Sequence, residues 1–486
     1  MADAPVSPSL ATSGADEAPL YAPRKQIYPQ SVKGRFRTFK WIVLAVTLGI
    51  YYLLPFIRWD RGPNAPDQAI LVDLPHHRFY FFFIEIWPQE VYYFTGLLVL
   101  AALTLFLMNA VAGRVWCGYL CPQTVWTDLF YAVERWIDGD RRERMRSDKE
   151  NLTLRAAAKK GLKHFIWLMI AWWTGGAWVL YFADAPTLVY QLATFQAPMI
   201  AYIWIGTLTF TTYTLAGFMR EQVCTYMCPW PRIQAALTDE YAFNVTYRYD
   251  RGEPRGSMKK NEALRRQGLP AGDCIDCNQC VNVCPTGVDI RKGLQLDCIQ
   301  CGLCIDACNS VMEKICRPRN LIAYDSDMNV KARIEGRPEV RRIVRPRTIL
   351  YVVMIAIVGA IMLGSLATRQ TTYLSVMHDR NPLYVRLSDG SIRNGFTIRV
   401  ANKQLDGRSY VLSVEGLPGA TLDIIGGAID HQGRAVVSVE PDQTLEARVL
   451  VSSQDSKLPP STDIQFTLTD PATGETIRMS DYFKAP

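Results

Sequence analysis

Eight of the chain's thirteen cysteines fall into two near-identical runs. The first is Cys274-x-x-Cys277-x-x-Cys280-x-x-x-Cys284-Pro285, and the second is Cys298-x-x-Cys301-x-x-Cys304-x-x-x-Cys308. Thiolates at this spacing hold cubane [4Fe–4S] clusters, and in two-cluster proteins the fourth cysteine of each run ligates the other cluster. One cluster is therefore expected on Cys274, Cys277, Cys280 and Cys308, and the other on Cys298, Cys301, Cys304 and Cys284. The second run ends in Asn309 where the first has Pro285, which removes no ligand. Zinc favours C-x-x-C pairs set apart by a longer spacer, which triplets at three-residue intervals do not match. Such clusters move single electrons, so the chain reads as a redox machine.

Four further cysteines form a weak internal repeat, Trp116-Cys117-Gly118-Tyr119-Leu120-Cys121-Pro122 and Val223-Cys224-Thr225-Tyr226-Met227-Cys228-Pro229. A spacing of four predicts two thiols on one face of a helix. The proline fits the first turn of a new helix or a break in the old one. Duplicated membrane units build sites where the repeats meet, so Cys117, Cys121, Cys224 and Cys228 are candidates for one site. Soft thiolates there favour Cu(I), zinc or an iron–sulfur cluster; buried cysteines at a helix end are the other reading. Cys316 stands outside both motifs and has no assigned role.

The five histidines do not pair within apolar stretches, so haem is not expected. His164 lies at the edge of one such stretch. His76-His77 reads as a solvated pair beside Arg78 before it reads as a metal site, and Met377-His378 as a linker before a copper foothold. Glycine-rich nucleotide signatures are absent.

The elements that must position these residues are membrane spans. Trp41–Ile57, Val91–Ala112, Phe165–Phe182, Ala197–Met219 and Thr348–Ala367 are free of charge and long enough, or nearly so, to cross a bilayer. Phe79–Trp87 is too short, carries Glu85 and reads as an interfacial or re-entrant piece rich in aromatics. Lysine and arginine crowd the stretch before the first span and the loop between the second and third, while the loop between the third and fourth has none. Positive-inside counting then puts the N-terminus and the cysteine-rich insert in the cytoplasm and everything after Ala367 on the far side. The net charge of +7 follows from this topology and gives no reason to expect nucleic acid.

The chain thus divides into a disordered cytoplasmic head (1–40, most polar over 1–23), a four-span membrane domain (41–219), a cytoplasmic 2[4Fe–4S] insert (220–347), a fifth span (348–367) and a C-terminal domain (370–486). No cleavable signal peptide is expected. The insert's core runs from about Gly272 to Pro318 behind a basic flank, Arg251–Arg266. The last domain alternates apolar and polar residues over Tyr384–Leu387, Phe396–Val400, Tyr410–Val414, Ala435–Val439, Ala447–Val451 and Ile464–Leu468, with turns such as Asp389-Gly390 and Gly426-Gly427 between. That pattern predicts an immunoglobulin-like β-sandwich. All thirteen cysteines fall on the predicted reducing side. The fold class is a polytopic α-helical membrane protein with a bacterial-type ferredoxin insert and a C-terminal β-sandwich.

The Trp116–Gln123 and Cys224–Pro229 motifs, the double cysteine run, the five spans and the C-terminal β domain, in this order, resemble the cytochrome c oxidase accessory protein family, CcoG (FixG/RdxA). The resemblance runs from about Ile27 to Phe483, with Arg380-Asn381-Pro382-Leu383-Tyr384 and Ser391-Ile392-Arg393-Asn394 also alike. It implies a multi-pass protein of the bacterial inner membrane that serves assembly of a cbb3-type oxidase by reducing Cu(II) to Cu(I). The implied partners are oxidase subunits or copper chaperones and a cytoplasmic electron donor. It also implies ligation by the eight ferredoxin cysteines, with copper handling or a third cofactor at Cys117, Cys121, Cys224 and Cys228. The same Cys-x-x-x-Cys-Pro pairs resemble those of membrane ferredoxins that feed other reductases. A quinol- or ferredoxin-linked module and a non-catalytic scaffold are therefore the competing functions. Thiols on the cytoplasmic side cannot reduce an ion across about 30 Å of hydrocarbon. Either copper is reduced on that side or a further carrier spans the bilayer.

Overall fold

A computed structural model describes residues 26–62, 65–151, 153–340, 342–404, 406–425, 428–429, 434–454 and 458–486. Residues 1–25 of the expected head, the Gly426-Gly427 turn and His431 lie outside the described residues. The chain forms two compact units. One comprises Met1–Thr47, Leu105–Trp173 and Thr207–Ile349, and the other Leu48–Thr104, Thr174–Gly206 and Leu350–Pro486.

A helix lies at each of the five stretches read as spans. Arg35–Leu53 ends in a 3-10 turn, Leu54–Phe56, because Pro55 cannot continue the hydrogen-bond ladder. Tyr92–Ala112, Leu154–Val179 and Pro346–Ala367 are regular α-helices, and Met199–Thr212 continues as a π-helical segment, Tyr213–Met219. Among the described residues, four stretches, Arg35–Phe56, Pro88–Ala112, Met199–Met219 and Pro346–Ala367, are long and apolar enough to cross a membrane. Leu154–Val179 is less apolar, since it carries Lys159, Lys160, Lys163 and His164 in its first half. Large apolar side chains on these helices face outward, among them Leu98 at 72% and Leu363 at 69% exposure. Such a surface is costly in water and suits lipid.

In the first unit, two buried carboxylates are paired with cations, as their desolvation requires. Arg37 holds Asp128 at 2.9 Å with Lys40 at 3.8 Å, and Glu134 meets Arg144, Lys163 and Arg220 at 2.8, 3.7 and 3.0 Å. Residues 35–40, placed by the sequence in the head, are helical, with Arg37 and Lys40 buried. Their helix starts against the insert: the backbone amides of Phe36 and Arg37 donate to Asp306 at 3.3 and 2.8 Å, a carboxylate seated where a helix N-terminus favours negative charge. The insert is closed by a two-stranded antiparallel sheet in which Asn244–Tyr247 pairs with Ile322–Asp325.

In the second unit, the piece read as interfacial or re-entrant is a three-stranded antiparallel sheet, Ile70–Asp73, Arg78–Phe81 and Ile84–Ile86. A short aromatic run has the same composition in either role. What makes it a sheet is alternation, with Tyr80 buried between half-buried Phe79 and Phe81, and a tight turn at Phe82, φ 50°. Arg78 of this sheet donates to the Asp442 carboxylate at 2.6 Å, approaches Glu85 at 3.2 Å and lies over the Trp87 ring at 4.0 Å. Burial, then the neighbouring Asp442, pushes the Glu85 carboxyl up to about 8.

The C-terminal residues form two five-stranded sheets. One orders Thr421–Ile425, Gln443–Ser453, Ile392–Asn402 and Thr372–His378, with Val385–Arg386 pairing to the third strand. The other orders Ala428–Ile429, Ala435–Val439, Arg408–Glu415, Ser461–Thr469 and Thr476–Lys484. Both contribute to one buried core, including Phe396, Ile398, Tyr410, Phe466 and Phe483. Met377-His378, expected in a linker, ends a strand instead. The His378 Nε2 bonds Asn394 at 2.8 Å, and its ring stacks on Tyr482 and meets the edge of Phe396.

Candidate iron–sulfur and thiolate sites

Two small cavities in the insert divide the eight ferredoxin cysteines between them. One is lined by Cys274, Cys277, Cys280 and Cys308, with Arg291 on its wall. The other is lined by Cys284, Cys298, Cys301 and Cys304, with Cys280 reaching it as well. Each cavity therefore takes the last cysteine of the opposite run.

The backbone of the two runs is the same shape. Asp276 (φ 53°) and Asn278 (φ 57°) flank Cys277, and Gln300 (φ 55°) and Gly302 (φ 74°) flank Cys301 in the corresponding positions. Left-handed residues alternating with ordinary ones turn successive N–H groups to one side, a concavity that binds anions. A [4Fe–4S] centre with its thiolates is such an anion, so the donor set and the cradle both fit it. The Val288 amide donates to Cys284 Sγ at 3.3 Å, and the amides of Gln300, Leu303 and Ile322 favour the thiolates of Cys298, Cys301 and Cys308. Burial pushes the thiols of Cys280, Cys298 and Cys308 up to about 12. Buried thiols of this kind ionise when bound to a metal. When bound, each cluster would store and pass one electron.

Cys117, Cys121, Cys224 and Cys228 are also brought together, all partly buried. They do not sit in pairs on one helix face, as their spacing suggested. Cys117 lies in a short helix, Val115–Tyr119, whereas Cys121 is extended (φ −60°, ψ 126°) and caps a new helix that opens with Pro122. Cys224 lies in the π-helical turn Val223–Met227, and Cys228 is again extended (φ −82°, ψ 122°) before Pro229 and the helix Trp230–Leu237. Proline fixes this break, because it favours an extended residue before it and a helix start after it. Burial raises Cys117 to about 12, with Cys121 adding most among its neighbours and Cys224 and Cys228 adding further. Cys224 stands at about 12 through burial, then Cys121 and Cys228. The halves meet at Gln234, whose Oε1 accepts from Cys117 Sγ at 3.4 Å and from Arg114 Nε at 3.1 Å.

These thiols abut the second ferredoxin cavity. A Cβ on Gly118 would lie 2.8 Å from the Ile299 carbonyl oxygen and 3.1 Å from the Cys301 Cα, so only glycine permits the approach. Tyr119 Oη donates to the Cys301 carbonyl at 2.9 Å. Arg114, 6% exposed, donates through Nη1 to the carbonyls of Leu296 and Cys298, and its backbone N–H to Gln300 Oε1 at 2.9 Å. Its charge favours the thiolates of Cys117, Cys224 and Cys298 together. Arg114, Asp306 and Arg291 are not motif-defining residues, so the sequence did not single them out. Gly118, inside the repeat, had a signal, since Thr225 stands in its place in the second copy.

Elsewhere, His76 accompanies Asp73 at 2.8 Å and lines an open cavity of about 690 Å³ with Arg78, Tyr80, Trp87 and Asp442. Among the described residues, no three His, Cys, Asp or Glu side chains close tightly enough to hold a single metal ion. A cubane spreads its four cysteines over four irons, so its quartets are wider than a mononuclear site.

A family model for a 4Fe-4S dicluster domain matches residues 219–327, a 4Fe-4S binding domain matches 94–141, and the IG-like fold at the C-terminal of FixG matches 362–486. The nitrogen fixation protein FixG of Rhizobium meliloti is 49% identical over 460 residues, covering 89% of this chain and 87% of that protein. Proteins RdxB and RdxA of Cereibacter sphaeroides are 48% and 53% identical, covering 98% and 84% of this chain and 98% and 86% of their own lengths. Two ferredoxin-type matches, the cysteine-lined cavities and near full-length likeness to these relatives converge: the chain is an iron–sulfur electron-transfer protein of the FixG/RdxA family.

Proposed function

We propose that this protein is a cupric reductase of the bacterial inner membrane that supplies Cu(I) for the copper site of a cbb3-type cytochrome oxidase. It spans the bilayer five times, with the N-terminus and insert in the cytoplasm. The two C-terminal sheets form an immunoglobulin-like sandwich in the periplasm. Cys274, Cys277, Cys280 and Cys308 hold one cluster, and Cys284, Cys298, Cys301 and Cys304 the other. A cytoplasmic donor loads the insert one electron at a time. A cluster held there would supply one-electron chemistry, so that each electron given up would reduce one Cu(II) to Cu(I).

The observation that carries this reading is the packing of Cys117-Gly118-Tyr119 on the Cys298–Cys301 loop. It gives the insert's electrons a next stop at soft ligands, on the same predicted side as the donor. Copper is accordingly met in the cytoplasm, and oxidase subunits or copper chaperones take it onward. In the test, detergent-solubilised protein is reduced anaerobically, freed of reductant and mixed with Cu(II) and a Cu(I)-specific chelator. The cluster absorbance returns and one Cu(I) appears per electron lost; clusters that stay reduced refute the reading.

A second reading, a quinol-linked module, is favoured by one contact. His164 Nδ1 lies 3.0 Å from Tyr213 Oη, with the imidazole stacked on Phe218. Such a polar pair beside aromatic rings suits a quinol head. Reoxidation by a quinone analogue and not by Cu(II), lost in His164→Ala, decides for it.

A further inference from the structure

We propose that Cys117, Cys121, Cys224 and Cys228 together ligate a third [4Fe–4S] cluster, rather than binding copper themselves. The inference deepens the electron-exit role proposed above and rests on that reading only for the direction of electron flow.

Three observations carry it. The first is a count of ligands. The match to a 4Fe-4S binding domain covers residues 94–141, and the cysteines in that stretch are Cys117 and Cys121 alone. A cubane takes four cysteines, so half its ligands must come from another part of the chain. The fold supplies them: Cys224 and Cys228 share the charge environment of Cys117 and Cys121, and Gln234, one turn into the helix that follows Cys228, touches the Cys117 sulfur.

The second is the shape of the two motifs. Each presents one cysteine on a helical turn and one on extended backbone ahead of a proline-led helix. Cys284-Pro285 in the ferredoxin run is the same Cys-Pro junction. Two copies of one motif, close enough for their thiols to raise one another's pKa and joined at Gln234, bring four thiols into one neighbourhood. Four thiols match a cubane, whose four irons, at alternate corners with sulfides between, each take one cysteine.

The third is charge. Four thiolates on a single Cu(I) would carry about three negative charges, whereas a [4Fe–4S] core in its oxidised form leaves about two. A buried cation, Arg114, adjoins the quartet. Arg114 Nη2 is buried and has no hydrogen-bond partner among the described residues, although Nε and Nη1 are fully engaged. Its neighbours Cys117 and Cys224 on one side and Cys298 on the other place that charge between the quartet and the second ferredoxin site. Both centres would be favoured in their reduced forms by the same guanidinium.

The test is metal analysis of the purified full-length protein, prepared and reconstituted without oxygen, with EPR of the reduced form. The expected result is about twelve irons and twelve acid-labile sulfides per chain, against about eight for the insert alone. Cys117→Ser and, separately, Cys228→Ser should each lose about four irons while the two ferredoxin signals persist, which also reports that the variant has folded. Eight irons in the wild type, or eight irons with one tightly held copper released by either substitution, overturns the proposal. If either variant loses all its iron, the wild-type count decides alone. Twelve irons without any reduction of Cu(II) would leave the third cluster standing and remove the copper reading, so the two failures are distinguishable.

Discussion

One compact unit holds all thirteen cysteines, and the other holds none. The first builds its interior from thiols, paired charges and chain that bends back on itself through left-handed residues. The second builds its interior from Phe396, Phe466, Phe483 and their apolar neighbours, with two β-sheets contributing to one core. The contrast teaches where each unit's stability comes from. A core lined by thiols pushed up to about 12 gains its folding energy on loading, because deprotonation and ordering happen together. An apolar core needs nothing bound.

The largest effect should come from removing iron. Treatment of the oxidised protein with a chelator is expected to abolish protection of the insert's amides in hydrogen exchange while those of Ile392–Asn402 and Ser461–Thr469 stay protected. Equal loss in both units would break the comparison.

Next in size is Arg114→Met, which removes a buried cation and strands Gln234 and the carbonyls of Leu296 and Cys298. A cost of about 2–4 kcal/mol is expected in denaturant melts of the iron-bearing unit. The reduction potential of the centre at Cys298 should move to more negative values. Arg114→Lys should restore the potential in part, because it keeps the charge without the fork; a potential that does not move in Arg114→Met rejects the electrostatic role.

Gly118→Ala is expected to cost about 1–3 kcal/mol, since the added methyl meets backbone that must shift. Its sharper readout is kinetic. Electron transfer beyond the Cys301 centre should slow while iron content is unchanged; an unchanged rate means the close approach is not on the path.

The smallest effect lies in the cysteine-free unit. Glu85 stands at about 8 when folded, against 4.5 as an isolated carboxyl; burial and Asp442 raise it, and Arg78 and Arg369 oppose them. A carboxyl whose folded pKa is raised favours the fold while it is protonated. That contribution is complete below about pH 4.5 and is lost as pH rises through about 8. The second unit should therefore weaken by on the order of 1–2 kcal/mol across that window, and Glu85→Gln should flatten the profile. A profile that Glu85→Gln leaves sloped places the titration elsewhere.

Legibility in the sequence followed the range of the interaction. The grouping of the ferredoxin cysteines around two cavities was readable because each of them sits in a short run of fixed spacing. The strand Ala435–Val439 was found to the residue, since alternation alone defines it. Thr476–Lys484 escaped notice because its inward residues, such as Ile477 and Met479, are spaced among Thr, Arg, Ser and Asp. The cysteines of the membrane-edge quartet were named, but their geometry was misread: a spacing of four suggests a helix until the proline is given priority over the period. Arg114 had no signal at all, because a single arginine after an apolar span looks like any other positive-inside residue.

The exchange of cysteines between the two insert cavities has a consequence for how the protein is made and how it is lost. Cys308 completes the cavity of the first run and Cys284 that of the second. Neither site can be furnished by its own run alone, so a nascent chain must be finished through Cys304 before the second site is complete and through Cys308 before the first is. Oxidative damage runs the same route in reverse. A sulfur lost at one site slackens the loop that frames the other, and the pair ages as one part.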